Sequence, residues 1–364
     1  MSTKIVLAAG GTGGHIFPAE ALAEALQKHG AQCVFITDRR FKRYNSASYE
    51  GVLGALPMHQ IFASSLGGGL GKKLISALGI TVGVAQSLYL LKRIKPKCVV
   101  GFGGYPSFPT MIAASLLGIE TIIHEQNSVL GKANRVLAKR VDFIATTYET
   151  THKIPQKAKA SIICTGNPVR GNIRSLAALP YPELTMDGLL KVLVMGGSQG
   201  ASVFSRIVPQ AMALLPEPLR ARVRLDQQCR ASDIEQVRSA YGALNMQVDL
   251  APFFHDVAAR LSMAHLVITR SGASTIAELT VAGRPAILVP YPEATDNHQS
   301  INAQAMEDAG AGFVMHQEGF TPEALAARLE TTLTNPELLP LSAAKSKRLG
   351  KPDAAAALAA LVIG

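Results

Sequence analysis

The chain has 364 residues, of which 48% are hydrophobic but only 5% aromatic, with no tryptophan. This length sets two domains as the expectation, and the composition excludes an aromatic-dominated core in favour of Ala, Val, Leu and Ile, as in parallel sheets covered by helices. The net charge of +10 is one-sided: 19 Lys/Arg stand against 8 Asp/Glu up to Thr165, and 17 against 18 from Gly166 onward.

Such asymmetry points to an anionic partner on the first half, nucleic acid or membrane. Ordinary solubilising charge is the alternative. Of the four cysteines, Cys33, Cys98 and Cys164 lie in apolar strand-like runs and none forms a CxxC pair with Cys229 or another. That usage fits free, buried thiols in a reducing, cytosolic compartment. The first apolar run, Ile5 to Ala9, is too short for a signal-peptide core and leads into glycines.

In chain order, KIVLAA (4–9) reads as a strand entering a glycine turn, followed by a helical pattern with Leu22, Ala25, Leu26 and His29 on one face and Gly30 as its cap. QCVFIT (32–37) is the next strand. Between Lys73 and Lys92 lie 18 uncharged residues, close to a membrane span in length. Ser76, Thr81, Gln86, Ser87 and two glycines within them favour a helix packed on a sheet. KCVVGF (97–102), ETIIH (120–124), DFIAT (142–146) and SIICT (161–165) are further strands, in a βαβ rhythm.

Residues 166–188, rich in proline and glycine, read as an interdomain linker. The rhythm then restarts at KVLVMGG (191–197) and continues through RVRLDQQ, MQVDLAPF, HLVITRSG and PAILVPYP to a helical tail from Pro336. LAAGGTGGH and LVMGGSQGA thus hold equivalent places in two Rossmann-like halves. Ligands of open α/β sheets bind beyond the carboxyl ends of the strands, so both turns are expected to line a central cleft faced by the two domains.

A glycine turn feeding a helix brings backbone N–H groups close to phosphate. Neither turn has the lysine of a P-loop, and the Gly11–Ile16 turn misses the last glycine of a dinucleotide fingerprint, although Asp38 stands where a ribose-binding acid would. His124-Glu125 lacks the second histidine of HExxH, and no Asp-x-Asp pair exists to hold a metal–diphosphate. A diphosphate leaving group therefore needs backbone amides, hydroxyls and arginine. GFGGYPSFP (101–109), HEQNS (124–128), TRSGASTIAE (269–278) and PYPEATDNHQSINA (290–303) are polar clusters at the ends of expected strands. Turn chemistry and capping could account for any one of them alone.

GGTGGH (10–15), GFGGYPS (101–107), HEQN (124–127), TGNPVR (165–170), GGSQGA (196–201), RSGASTIAE (270–278) and HQSINA (298–303) together resemble the MurG family of glycosyltransferases, in order along almost the whole chain. The resemblance implies the GT-B fold: an α/β chain with two Rossmann-like domains of parallel sheets, 1–165 facing acceptor and membrane, 166–347 binding the UDP-sugar, and a final helix, about 348–364, packing back on the first. It implies an inverting transfer of N-acetylglucosamine from UDP-N-acetylglucosamine to undecaprenyl-diphosphate-linked N-acetylmuramoyl pentapeptide, at the cytoplasmic face of the inner membrane.

On matching positions, Glu278 is expected to hold the ribose hydroxyls, Ser198 and Gln199 to meet the diphosphate, and Arg170 to lie near the phosphates. Ala273, Ser274 and Thr275 cover the nucleotide, Gln299 reads sugar hydroxyls, and the backbone at Phe254 pairs with uracil. Phe254 and His298 depart from the aliphatic residue and second glutamine that the family commonly carries. Asn127, Thr12, Gly13 and Gly14 reach the sugar from the first domain, and Gly103, Gly104 and Tyr105 face the acceptor diphosphate. A carboxylate accepting two hydrogen bonds suits a vicinal diol at Glu278; a helix-first-turn acid is the bland alternative.

A single displacement needs a base for the acceptor hydroxyl. His15, at the tip of the first glycine turn and titrating near neutrality, is the candidate, with Glu125 in reserve. Leu70, Lys72, Lys73 and Ile75, with Leu66, Leu74 and Leu78, form a basic apolar segment suited to docking on an anionic membrane without spanning it. No nucleic acid and no tightly bound cofactor are expected; stimulation by a divalent cation and contacts with other cell-wall synthesis proteins stay open. A diacylglycerol sugar transferase, a UDP-sugar epimerase, a non-catalytic membrane-recruiting subunit and a dehydrogenase are the rival readings.

Overall fold

In a computed structural model of the chain, the described residues are 3–10, 12–38, 41, 51–63, 70–197 and 202–364, with 70–77 described as backbone only. They form two compact units, Met1–Gly171 with Pro352–Gly364, and Asn172–Lys351.

The first unit holds a parallel sheet of β1 (Lys4–Ala8), β2 (Gln32–Thr37), β3 (Met58–Gln60), β4 (Cys98–Gly101), β5 (Glu120–Glu125), β6 (Phe143–Thr146) and β7 (Ser161–Cys164), in the order β3-β2-β1-β4-β5-β6-β7. Its helices are α1 (Gly13–Lys28), α2 (Leu70–Ile94), α3 (Ser107–Leu116) and α4 (Lys132–Leu137). Ile5 and Leu7 of β1 face one way, into a core shared with Ile16, Leu22 and Leu26 of α1. Val6 faces the other, with Val99, Met111 and Ala114. Burial on both faces is why these strands read as unbroken apolar runs. α1 ends where Gly30 takes φ +74°, a conformation that costs glycine nothing.

The order of strands reverses at β1. The chain runs from β1 outward to β2 and β3, then returns to lay β4 on the other side of β1. The loops after β1 and β4 therefore leave the sheet side by side at its switch point, the crevice position at which open α/β sheets bind ligands.

The segment 166–188 does not behave as a free linker. It contains α5 (Gly171–Arg174) and a 3₁₀ turn at Ser175–Ala178, and Leu176 is buried. Beyond the turn, the Tyr181 hydroxyl donates to the His265 carbonyl at 2.8 Å, and Lys347 Nζ donates to the Leu179 carbonyl at 2.8 Å. Proline and glycine content marked the break in rhythm but not these long-range anchors.

The second unit repeats the plan with β8 (Leu190–Met195), α6 (Ser202–Leu214), α7 (Glu217–Arg220), β9 (Val223–Gln228), α8 (Ile234–Gly242), β10 (Val248–Ala251), α9 (Val257–Met263), β11 (Leu266–Thr269), α10 (Ala273–Ala282), β12 (Ala286–Leu288), α11 (His298–Asp308), β13 (Gly312–Val314), α12 (Pro322–Thr334) and α13 (Leu338–Leu349). Its parallel order is β10-β9-β8-β11-β12-β13, so the reversal falls between β8 and β11. The last helix, α14 (Ala354–Ile363), belongs to the first unit, where Leu358, Ala359 and Val362 share the core of β1 and α1. Lys97 Nζ donates to the Ile363 carbonyl at its end, a cation at a helix C-terminus.

Candidate active site

In the first unit the two glycine turns interlock. Thr12 is the extended N-cap of α1, Gly13, Gly14 and His15 are its first residues, and the His15 N–H donates to the Thr12 carbonyl at 3.0 Å. Gly104, at φ +76°, lies so close to the first turn that a Cβ would stand 2.3 Å from the Gly10 carbonyl oxygen. Gly103, at φ +90°, lies against the His15 ring; a Cβ there would be 3.0 Å from Cδ2 and 3.1 Å from Nε2. The glycines are thus needed for backbone approach, and the approach places His15 at the β1/β4 crevice. α1 and α3 both begin at this place, one with Gly13 and the other with Ser107 directly after the second turn. Two helix N-termini direct their positive dipole ends to this place, which favours an anion. Tyr105, between them, is exposed.

Arg170 is brought to the same helix. Its guanidinium carbon lies 4.3 Å from the centroid of the Phe17 ring, and Phe17 is also the side chain that a Cβ on Gly13 would strike, at 2.9 Å. Burial pushes the nearby Glu24 carboxyl up, opposed by Lys28, the Gly171 N–H and Arg170.

HEQN divides into three buried residues and one half-buried one. The buried His124 donates from Nε2 to the Gly166 carbonyl at 3.0 Å, while its Nδ1 accepts from the Gln126 amide at 3.1 Å. Desolvation lowers its pKa to about 4, so the ring is neutral. The Gln126 amide also donates to the Phe102 carbonyl at 2.9 Å, tying HEQN to the second glycine turn. Glu125 accepts from the Asn127 N–H and Nδ2 at 3.1 and 3.2 Å on Oε1, and from the Gly131 N–H and Asn134 Nδ2 at 2.8 Å each on Oε2. Two carboxylate oxygens offer about four lone-pair sites. All are engaged, so Glu125 is an organiser of the 125–134 loop and not a base in reserve. Its work is to hold Asn127.

In the second unit, GGSQGA follows β8. Gly196 donates its N–H to Gln228 Oε1 at 3.1 Å, and Gln228 Nε2 donates to the Gly197 carbonyl at 3.4 Å and the Pro252 carbonyl at 3.0 Å. Gln228 therefore couples the glycine turn to the Phe254 loop, a role that sequence spacing did not reveal. Phe254 is buried and Phe253 half exposed. Arg260 lies with its guanidinium carbon 3.9 Å from the Phe254 ring centroid and makes ion pairs with Asp226, Asp249 and Asp256 at 2.9, 2.6 and 2.9 Å. Burial raises the Asp226 pKa, against the pull of Arg260.

Gly272 caps α10 in extended conformation, and Ala273, Ser274 and Thr275 make its first turn. Glu278 is the sixth residue of the helix and largely buried, so it is not the first-turn acid of the bland reading. Arg270 donates from Nη1 to the Val289 and Pro290 carbonyls at 3.0 and 3.1 Å, and from Nη2 to Gln317 at 2.6 Å. It fixes the loop leading to α11, and was missed because all three partners are distant in sequence. Before α11, Asp296 and Asn297 both adopt left-handed backbone, at φ 56° and 55°. His298 donates from Nδ1 to the Thr295 carbonyl at 2.7 Å, and Gln299 Oε1 accepts the Tyr291 N–H at 2.9 Å. Each of these two side chains is thereby held by one end.

Ser198 and Gln199 lie outside the described residues, as does Leu66. The backbone of Leu70, Lys72, Lys73 and Ile75 starts α2, but their side chains are outside the described part. Further along α2, Leu78, Val82 and Tyr89 are exposed at spacings that share one face. Phe62, also exposed, donates its N–H to Gln86 of the same helix at 2.7 Å. Among the described residues no helix is long and apolar enough to cross a membrane, and no group of three or more His, Cys, Asp or Glu side chains could hold a metal ion.

Residues 5–146 match the glycosyltransferase family 28 N-terminal domain, and residues 191–358 the glycosyltransferase family 28 C-terminal domain. The UDP-N-acetylglucosamine–N-acetylmuramyl-(pentapeptide) pyrophosphoryl-undecaprenol N-acetylglucosamine transferase of Rhodospirillum centenum is 51% identical, over 99% of this chain and 94% of the relative. The Paramagnetospirillum magneticum protein of the same name is 50% identical, over 100% of this chain and 98% of its own length. The crystal structure of Acinetobacter baumannii MurG matches with a TM-score of 0.75 and 29% identity, covering 99% of both chains. The chain belongs to the MurG family.

This MurG-family chain therefore has the two-domain GT-B fold of a UDP-N-acetylglucosamine-dependent glycosyltransferase. UDP-N-acetylglucosamine 2-epimerase from Neisseria meningitidis has a related fold, with a TM-score of 0.64, but at 14% identity the likeness carries fold alone. Gly196-Gly197-Ser198-Gln199-Gly200 also satisfies the GxSxG spacing of a hydrolase elbow.

Proposed function

We propose that this chain transfers N-acetylglucosamine from UDP-N-acetylglucosamine to the muramoyl 4-hydroxyl of undecaprenyl-diphosphate-N-acetylmuramoyl pentapeptide, in peptidoglycan synthesis. The observation that carries the reading is end-to-end identity of 50–51% with transferases of that name. The interlocked turns at the β1/β4 crevice supply the chemistry it needs.

In the transfer, the acceptor oxygen attacks the anomeric carbon and forms the new glycosidic bond. The bond from that carbon to the UDP oxygen breaks, with its electron pair leaving on UDP. His15 takes the hydroxyl proton. Its place at the tip of α1, against Gly103, supports this role because the same crevice offers two helix N-termini to the acceptor's diphosphate through Gly103, Gly104 and Tyr105. On the donor, Glu278 accepts from the ribose hydroxyls, Phe254 offers backbone to uracil, and Ser198, Gln199 and Arg170 meet the diphosphate. Ala273, Ser274 and Thr275 cover the nucleotide. His298 and Gln299 read the sugar, helped by Thr12, Gly13, Gly14 and Asn127.

The enzyme docks on the cytoplasmic face of the inner membrane without spanning it. The exposed face of Leu78, Val82 and Tyr89, with Lys92 and Arg93 at its end, supports this reading, as does the positive excess of the first half. No resident metal is required for transfer; activity retained in chelator checks this point.

The deciding assay is UDP release from UDP-N-acetylglucosamine with a short-chain analogue of the lipid acceptor. Acceptor-dependent release is the expected result. Release only with diacylglycerol would reassign the acceptor, and epimerised sugar without transfer would reassign the reaction.

A further inference from the structure

The loop from Pro252 to Asp256 carries two adjacent phenylalanines with opposite fates. Phe254 is buried, whereas Phe253 is half exposed and stacks edge-on with His255, ring centroids 4.9 Å apart. Sequence alone gives no preference between them. Arg260 of α9 stands against the buried one.

The Arg260 guanidinium carbon lies 3.9 Å from the Phe254 ring centroid, while its side chain is only 15% exposed. Its three nitrogens reach three carboxylates on three elements: Asp226 of β9, Asp249 of β10 and Asp256 of the loop itself. Asp249 and Asp226 are register partners on neighbouring strands. Side by side, such like charges repel. Arg260 bridges them, and so holds the end of β10, the loop and the ring as one body. The loop's first residue is fixed separately, by Gln228 at the Pro252 carbonyl.

We propose that Arg260 is a positioning residue for the donor nucleotide: it draws Phe254 inward and thereby sets the backbone that receives the uracil. The inference rests on the reading of Phe254 as the base-contacting position. Arg260 itself touches no substrate; it acts through Phe254.

The test measures donor and acceptor KM, kcat and thermal midpoint for Arg260→Met, Arg260→Lys, Arg260→Met/Asp226→Asn/Asp249→Asn and Phe254→Pro. Arg260→Met is expected to raise the KM for UDP-N-acetylglucosamine roughly tenfold, with acceptor KM unmoved and kcat within about threefold, since it loosens binding of the base and not the reacting atoms. Arg260→Lys restores charge but not the planar guanidinium, and is expected to recover only part of the affinity. The triple variant removes the repulsion, so it keeps the fold measurable if Arg260→Met is unstable; its donor KM is expected to stay raised. Phe254→Pro deletes the N–H and is expected to raise donor KM too. A donor KM raised in Phe254→Pro but normal in the folded Arg260 variants overturns the Arg260 role alone. Normal values in all of them overturn it together with the base-contact reading.

Discussion

Gly103 lies against the imidazole of His15, so closely that a Cβ there would stand 3.0 Å from Cδ2 and 3.1 Å from Nε2. A residue from the loop after β4 thus fixes a side chain at the start of α1. Gly103→Ala adds both this contact and strain at φ +90°. Its cost of about 1–3 kcal/mol falls on the ring's position. The expected outcome is a fall in kcat of roughly ten- to hundredfold, with UDP affinity by calorimetry nearly unchanged. His15→Ala should likewise bind donor and turn over slowly; near-normal turnover would remove it as the base.

Glu125→Gln separates an organiser from a base. Glutamine offers one acceptor oxygen where four donors now converge, and turns an NH₂ toward two of them. A buried donor left unmatched costs about 1–3 kcal/mol. Denaturant titration should show a loss of stability of that order, together with a raised donor KM through displaced Asn127. An undiminished stability with kcat abolished would return Glu125 to the role of base.

Acid should weaken the first unit through His124. Its pKa of about 4 in the folded state lies below the usual histidine value, because burial disfavours the charged ring. The unfolded chain therefore binds the extra proton between roughly pH 6.5 and 4. The contribution is complete above the unfolded value and is lost as pH falls through that window, reaching at most about 3 kcal/mol. His124→Asn should flatten that part of the stability–pH curve. A curve of unchanged slope would contradict the assignment.

Glu278→Gln tests the ribose contact. It keeps the shape of a helical position in α10 but replaces an acceptor pair by one acceptor and one donor. Donor KM should rise on the order of tenfold or more. The variant should also lose most of its discrimination against a deoxyribose donor; retained discrimination would place the diol elsewhere.

Leu78→Glu with Val82→Glu places two acids on the exposed face of α2. Sedimentation with vesicles containing anionic phospholipid should drop several-fold, while turnover of a soluble acceptor analogue persists. Equal sedimentation would move the docking surface to another face.

The βα rhythm, the glycine turns and the two-domain plan were all legible along the chain, because each is a local signal: apolar runs buried on both faces, and backbone conformations that need glycine. Met58–Gln60 and Gly312–Val314 escaped notice because three-residue edge strands carry too little pattern. The polar motifs showed where chemistry lies but not how it is divided. Tertiary structure alone made His124, Glu125 and Gln126 anchors, since their partners stand at Gly166, Asn134 and Phe102. It alone seated Arg260 against Phe254 among aspartates from other elements. Hydrogen bonds and ion pairs depend on distance in space, which one-dimensional spacing does not encode beyond a helical turn or a strand repeat. The glycines of the first turn stand between these cases: sequence marks them as backbone that must come close to something, and only the fold shows that what comes close is the loop that sets His15.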